Sequence, residues 1–124
     1  MGSIETVKDF DKKLTTNVAE GEFSCDELLD WVRNYYLGAV TELILWDFSK
    51  ADISKITNEE LRKIANEVKK VSNTRAGGKT ALVFSQDIGF GLGRMYEAFS
   101  RISSMPFEYR TFRSISEAKD WLGI

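Results

Sequence analysis

Two short apolar runs, each followed by a helical pattern, constrain the fold of this chain most strongly. Leu43 to Trp46 and Ala81 to Phe84 are apolar without interruption, which is typical of strands buried on both faces. Polar residues follow each run, and Asp47 is the position at which the first strand is predicted to end. Strands that alternate with helices predict an α/β sheet, and functional residues are expected at its carboxyl edge.

The remaining segments complete a mixed sheet. Ile4 to Lys8 and Leu14 to Glu20 alternate between apolar and polar residues and predict an N-terminal β-hairpin. Glu108 to Phe112 predicts a short final strand. The element order is therefore ββαβαβαβα, a single α/β domain over residues 1–124 with a mixed sheet of about five strands and helices packed on it. The three later strands follow helices, so they should run parallel.

Helix starts and buried helix faces are also predicted. Boxes with the Ser/Thr-x-x-Glu spacing, in which the two side chains satisfy free amides at a helix start, begin at Ser24, Thr57 and Ser114. The third helix has an apolar stripe that we expect to face the sheet, at Ile88, Leu92, Met95, Phe99 and Ile102. Across the domain, the residues expected to be largely buried are Leu45, Leu61, Val68, Val83, Met95 and Phe99.

Composition argues against several classes of function. Histidine is absent and Cys25 is the only cysteine, which removes His-based acid–base catalysis, Cys–His catalysis, zinc sites and disulfides. We interpret Cys25 as a buried or incidental thiol. The net charge is −2 and the basic residues are scattered, so no nucleic-acid binding is expected. No apolar run is long enough for a transmembrane helix, and we expect a cytoplasmic protein without a cofactor.

Two glycine-containing motifs need interpretation. Gly77-Gly-Lys-Thr80 looks like the end of a phosphate-binding loop, but Asn73 stands where that motif needs glycine, and a helix precedes it where a strand is required. We interpret it as a helix-to-strand turn. Gly89-Phe-Gly-Leu-Gly93 follows a strand and opens a helix, which favours close packing of helix and sheet, with a ligand or partner surface as the alternative. We expect Gly91 and Gly93 both to serve packing.

Carboxylates and hydroxyls are concentrated after the two central strands. If these strands are neighbours, the loop after the first of them carries a candidate interaction or regulatory surface: Asp47, Ser49, Asp52, Ser54 and Thr57. Catalytic use of these groups would need a cleft and shifted pKa values. Loop carboxylates and serines more often form caps and turns. We therefore favour a non-enzymatic surface for a protein partner.

With this order of elements the chain resembles the SpoIIAA-like family of the STAS superfamily, the sulphate-transporter and anti-sigma-factor-antagonist domains. The segments that carry the resemblance are Leu43-Ile-Leu-Trp-Asp-Phe-Ser49, Gly78-Lys-Thr-Ala-Leu-Val83, Phe90-Gly-Leu-Gly-Arg-Met-Tyr96 and Phe112-Arg-Ser-Ile-Ser-Glu-Ala-Lys-Asp-Trp-Leu122. The resemblance implies a bacterial, non-enzymatic regulatory or protein-interaction module.

The resemblance also bears on phosphorylation. Anti-sigma-factor antagonists carry a phosphorylatable serine in an Asp-Ser-Ser/Thr-Gly pattern, and the matching segment here is Asp52-Ile-Ser-Lys55. Ile53 occupies the phosphoacceptor position and Lys55 replaces the glycine. The module is therefore expected to lack the usual phosphoacceptor, with Ser54 or Thr57 as displaced substitutes.

An alternative function follows from the same resemblance, because SpoIIAA-like proteins are similar to lipid-carrying CRAL-TRIO folds. This implies a carrier or sensor of a small molecule or lipid with an apolar pocket. The candidate pocket residues are Ser85, Asp87, Phe90, Gly91, Arg94 and Met95. The partners left open are an unidentified protein, an apolar small ligand and a second copy of the chain.

Overall fold

A computed structural model describes residues 2–124, apart from the side chain of Ser72. The strands are β1 (Ser3–Asp9), β2 (Leu14–Glu22), β3 (Leu43–Asp52), β4 (Lys79–Val83) and β5 (Glu108–Phe112). The helices are α1 (Cys25–Leu37), α2 (Asn58–Val71), α3 (Asp87–Ile102) and α4 (Ile115–Leu122), and a 3-10 turn, Ser72–Arg75, follows α2. The predicted element order and the α/β fold class are confirmed.

The five strands lie in the sheet in chain order. β1 pairs with β2 in antiparallel orientation, as in the predicted hairpin, and β2, β3, β4 and β5 run parallel, as predicted for the later strands. The register sets Trp46 beside Leu82 and Asp47 beside Val83. The ends of the two apolar runs are therefore neighbours.

Two apolar layers cover the sheet. Helices α1, α2 and α3 pack on one face and enclose the larger core, to which the helix-facing side chains Ile44, Trp46 and Phe48 of β3 belong. Helix α4 packs on the other face over the smaller cluster, which consists of Leu14, Leu45, Ala81, Val83, Ala118 and Leu122. The predicted burial of Leu45 and Val83, and of Leu61 and Val68 on α2, is confirmed.

Strand β3 is longer than predicted. It continues past Asp47 to Asp52, where it pairs with the end of β2 beyond a register shift at Val18/Glu20. Phe48 is buried on the helix side, between Asp47 and Ser49. This alternation is itself a strand signal, so placing the strand end at the first carboxylate was wrong. The predicted loop from Asp47 to Thr57 is half strand.

Two of the three predicted capping boxes, at Ser24 and Thr57, are complete, and at Ser114 only the serine's half of the box is formed. The side-chain oxygens of Ser24, Thr57 and Ser114 each accept a hydrogen bond from the amide three residues on, at 3.3, 3.1 and 3.2 Å. At Ser24 and Thr57 the glutamate returns the bond to the capping residue's amide, at 3.2 and 3.0 Å. These bonds satisfy amides that a helix start leaves free, and they fix where α1, α2 and α4 begin.

Helix α3 is rotated from its predicted orientation. Ile88 and Ile102, at the two ends of the predicted inward stripe, are 64% and 80% exposed. Met95 and Phe99 are only half-buried, so their predicted burial was wrong. The helix instead buries Gly93, Tyr96, Glu97 and Ser100.

Two features explain the rotation of α3: the polar bonds of Glu97 and the close packing of Gly93. The N–H of Thr111, on β5 at the edge of the sheet, donates to the Glu97 carboxylate at 3.1 Å. Arg101 and Arg94 add ion pairs to the same carboxylate at 3.1 and 3.5 Å. A buried carboxylate is costly unless it is bonded in this way, so these partners hold α3 with Glu97 inward. Gly93 lies on the same side, against Phe84, where a side chain would not fit.

Arg75 is buried, with 1% of its surface exposed, although it lies in the connection between α2 and β4. Its guanidinium donates to the main-chain carbonyls of Thr41, Glu42 and Lys79 at 2.8, 2.9 and 3.1 Å. It also donates to the hydroxyls of Tyr36 and Thr80, and it lies 4.3 Å from the Phe107 ring centroid. These acceptors are neutral. One cation therefore joins α1 to the amino ends of β3 and β4.

Candidate ligand-binding site

An apolar pocket of about 80 Å³ lies between the sheet and helices α1, α2 and α3. The helices contribute Leu28, Val32, Leu61, Ile64, Val68, Leu92, Gly93 and Tyr96. The sheet and the segment after β3 contribute Trp46, Phe48, Ile53, Leu82, Phe84 and Tyr109. No side chain in this set is charged, so the pocket offers contacts to an apolar molecule.

Stacked aromatic rings form the sheet wall of the pocket. Phe48 stacks between Trp46 and Phe84, with ring centroids 5.0 Å away on each side and interplanar angles of 1° and 7°. Trp31 meets the edge of Trp46 at 4.6 Å. The stack arises because Trp46 and Phe48 occupy alternate, helix-facing positions of β3, and Phe84 follows the adjacent strand β4. Such a wall is rigid and presents flat apolar surface.

Two tyrosines are among the residues that line the pocket. The Tyr96 hydroxyl donates to the Tyr109 hydroxyl at 3.3 Å, and the rings meet edge to face at 4.8 Å. Burial raises the pKa of both phenols well above the ordinary tyrosine value, and nearby Tyr36 raises both further, while the bond from Tyr96 lowers the pKa of Tyr109. Both hydroxyls are therefore uncharged at neutral pH, and they can donate or accept a hydrogen bond.

The six candidate pocket residues from the sequence lie outside this lining. The Ser85 hydroxyl donates to the Ser49 carbonyl at 2.7 Å, and Asp87 pairs with Arg113 at 2.7 Å. Phe90 lies under the Arg113 guanidinium at 4.2 Å. Gly91, Arg94 and Met95 are exposed or half-buried on the outer side of α3. The pocket instead uses the neighbouring positions Leu92, Gly93 and Tyr96, because α3 is rotated.

The candidate interaction surface is largely occupied by local bonds. The carboxylate of Asp47 accepts from the Ser49 amide at 2.9 Å, and that of Asp52 accepts from the Ser54 amide at 2.8 Å. Hydrogen bonds from the Ser54 side chain and amide lower the pKa of Asp52. Thr57 caps α2. Asp47 and Ser49 lie within β3, whereas Ser54 and Thr57 are exposed beyond its end.

Ile53, which the sequence resemblance sets at the expected phosphoacceptor position, is buried and lines the pocket. It carries no hydroxyl, so phosphate transfer to this position is chemically excluded. The adjacent Ser54 is exposed. The segment after β3 therefore supplies part of the apolar wall of the pocket.

Cys25 and the Gly77–Thr80 motif have structural roles. Burial, followed by the negative charge of Glu60, raises the pKa of the Cys25 thiol, which disfavours a reactive thiolate. Gly77 to Thr80 leads from the 3-10 turn into β4, as predicted. The Lys79 ammonium donates to the Trp121 carbonyl at 3.2 Å and lies 5.1 Å from the Trp121 ring centroid. The lysine of this motif is thus engaged with α4.

The arrangement of strands and helices defines a SpoIIAA-like fold. A solved structure from Shewanella loihica PV-4, an uncharacterized protein of the DUF3478 family described as having that fold, matches this chain with a TM-score of 0.59. The match covers 98% of this chain and 93% of the other at 15% sequence identity, so it shows the fold alone. No protein-family model and no curated protein matches the chain. None of the helices in the described part of the chain has the length and apolar character needed to cross a membrane.

Proposed function

We propose that this protein is a non-enzymatic binding module that takes a small apolar molecule into the pocket between the sheet and α1, α2 and α3. The observation that carries the proposal is the lining itself, a set of apolar and aromatic side chains in which Tyr96 and Tyr109 place uncharged hydroxyls. A concave apolar site with a few convergent polar groups is the usual form of a small-molecule site.

The size of the pocket limits the ligand. At about 80 Å³ it is smaller than an engineered apolar cavity of about 150 Å³ that binds benzene or xenon. It is also below the several hundred Å³ of sites for drug-sized molecules. A molecule of a few heavy atoms fits in the pocket with the helices in their present positions, whereas a lipid chain would require the helices to move apart. The ligand class is therefore a compact apolar molecule with at most one hydrogen-bonding group.

The bonding of the candidate catalytic groups supports a non-enzymatic function. The carboxylates of Asp47 and Asp52 accept hydrogen bonds from the amides two residues on, and Thr57 caps a helix. The pocket residues include two phenols that stay protonated at neutral pH and no charged side chain. Proton transfer at neutral pH requires a group that titrates near that pH, and the lining supplies none.

A pair of matched variants tests whether the pocket is open space. Val68→Leu adds one methylene toward the pocket and should hold or slightly raise the melting temperature. Val83→Leu adds the same group at a buried position on the α4 side of the sheet, outside the proposed ligand pocket, and should cost about 1–3 kcal/mol. Thermal denaturation of both variants beside the wild type gives the comparison.

Dissolved xenon is the ligand probe for the same pair. The methyl NMR signals of Leu61 and Ile64 should shift with xenon in the wild type and in Val83→Leu, and much less in Val68→Leu. Equal destabilisation of the two variants together with no xenon response at these methyls would show that the pocket is not available to a ligand.

A second candidate function is a protein-interaction or regulatory surface at Asp47, Ser49, Asp52, Ser54 and Thr57. The exposure of Ser54 and Thr57 beyond the end of β3 supports it. Ser54 also directly follows Ile53, the position that the sequence resemblance matches to a phosphoacceptor. Affinity capture from the source cells tests this surface: a chain with Asp52→Arg and Ser54→Arg that retains every specific partner would refute it.

A further inference from the structure

The outer face of α3 carries an apolar seam that the described part of the chain covers only in part. Its positions are spaced three and four residues apart in strict alternation: Ile88, Gly91, Met95, Ala98 and Ile102. Gly91 and both isoleucines are exposed, and Met95 and Ala98 are half-buried. This spacing is that of the contact positions in paired helices. The seam spans about 21 Å, or four turns, at the usual rise of an α-helix.

The small residues of the seam leave room for another helix. A side-chain carbon at Gly91 would meet nothing within 4 Å, and Ala98 projects only a methyl group. Each lies between two larger seam residues. Small residues at such intervals allow a second backbone to approach closely, while the isoleucines at the ends provide apolar contact. The shape of this face therefore resembles the contact surface of one helix in a pair of packed helices.

Charge beside the seam is positive. Arg94 and Arg101 lie seven residues apart on one flank, with side chains 62% and 67% exposed. Across the groove toward α2, the Arg62 guanidinium lies 4.9 Å from the Phe99 ring centroid. Glu97 pairs with both Arg94 and Arg101 and so offsets one of their two charges, and Asp87 pairs with Arg113, so a net positive charge remains on this flank.

We propose that this seam docks an amphipathic helix of a partner protein, with apolar residues along its contact line and Asp or Glu on its flanks. The apolar residues of that helix pack over Gly91 and Ala98, and its carboxylates pair with Arg94, Arg101 and Arg62. A second copy of α3 would bring the same arginines toward each other, which disfavours self-pairing. The site goes beyond the pocket and does not depend on it.

The direct test uses two synthetic helical peptides of about 18 residues, long enough to span the seam. One carries a leucine and alanine contact line flanked by glutamates, and the other has lysines in place of the glutamates. Fluorescence anisotropy should show binding of the acidic peptide alone. Amide NMR shifts in the labelled protein should change along α3 and the facing side of α2.

Variants locate the contact on the seam. Gly91→Gln and Ile102→Ser alter exposed positions, and each should weaken binding of the acidic peptide by about tenfold without changing the circular dichroism. Leu37→Ser is the matched control, because Leu37 is 85% exposed on α1, away from the seam. It should bind as the wild type does.

Four outcomes would overturn the proposal. They are no binding of the acidic peptide, equal binding of the lysine peptide, shifts confined to other elements, and seam variants that bind normally. Two further measurements would assign the face to another occupant and also overturn it. These are self-association in sedimentation that Ile102→Ser abolishes, and pelleting with anionic phospholipid vesicles that Gly91→Gln abolishes.

Discussion

Replacing Arg75 by methionine should lower the free energy of unfolding by about 3 kcal/mol or more. Methionine keeps much of the volume but leaves the carbonyls of Thr41, Glu42 and Lys79 without the donors that the guanidinium supplies. Leaving a buried acceptor without a partner lowers the free energy of unfolding by more than the net contribution of the hydrogen bond, because water does not replace the lost donor. Urea denaturation followed by circular dichroism measures the change.

Replacing Arg75 by lysine tests whether a positive charge alone is sufficient at this position. Lysine keeps the positive charge, but one ammonium group cannot reproduce the five-donor fork that reaches three main-chain carbonyls and two hydroxyls. Arg75→Lys should therefore be nearly as damaging as Arg75→Met. Arg33→Met, at a side chain that is 54% exposed, is the control and should stay within about 0.5 kcal/mol of the wild type. Stability of Arg75→Met within that range would refute the structural role of the guanidinium.

Alanine at Gly93 and at Gly91 should change stability in opposite directions. At Gly93 the added carbon would lie 2.7 Å from a Phe84 ring carbon and 2.8 Å from the Thr111 methyl. The Phe84 ring cannot easily yield because it stacks on Phe48, so we expect a loss of about 1–3 kcal/mol. At Gly91 the space is open, and the better helix propensity of alanine should contribute about 1 kcal/mol.

Scanning calorimetry of the two alanine variants tests this contrast. The expected result is a melting temperature several degrees below the wild type for Gly93→Ala and a few degrees above it for Gly91→Ala. The sequence predicted a packing role for both glycines, whereas the structure gives that role to Gly93 and places Gly91 outward. Changes of the same sign in both variants would contradict the observed orientation of α3.

The order of elements could be predicted from the sequence because its signals are local. Uninterrupted apolar runs identified β3 and β4. A serine or threonine with a glutamate three residues later identified the start of three helices. The same reasoning ended β3 too early, since the alternation through Asp47, Phe48 and Ser49 received less weight than the first carboxylate. A carboxylate on the less covered face of a sheet does not end a strand.

The rotation of α3 and the pocket depend on contacts between distant segments. Apolar periodicity favoured an inward stripe from Ile88 to Ile102, but Glu97 bonds the edge of β5 and Gly93 packs on Phe84. Both partners lie on other elements, so the periodicity of α3 carries no information about them. The pocket is space left over when three helices and a sheet meet. The residues that line the pocket therefore show the same apolar pattern in the sequence as residues that fill a core.

Arg75 illustrates the same limit for a polar residue. An arginine beside Gly77 and Gly78 in a turn is usually exposed, and nothing adjacent in the sequence marks it as buried. Its acceptors belong to α1 and to the starts of β3 and β4. Burial of this cation is decided by the meeting of those three elements, which only the assembled fold reveals.

Native mass spectrometry of the protein, freshly purified from its own cells, tests most directly whether the pocket is a ligand site. The account predicts a non-covalent complex with a small apolar molecule, which is retained in Val83→Leu and lost or strongly reduced in Val68→Leu. Only the bare chain mass, in every preparation of the wild type and of both variants, would contradict it.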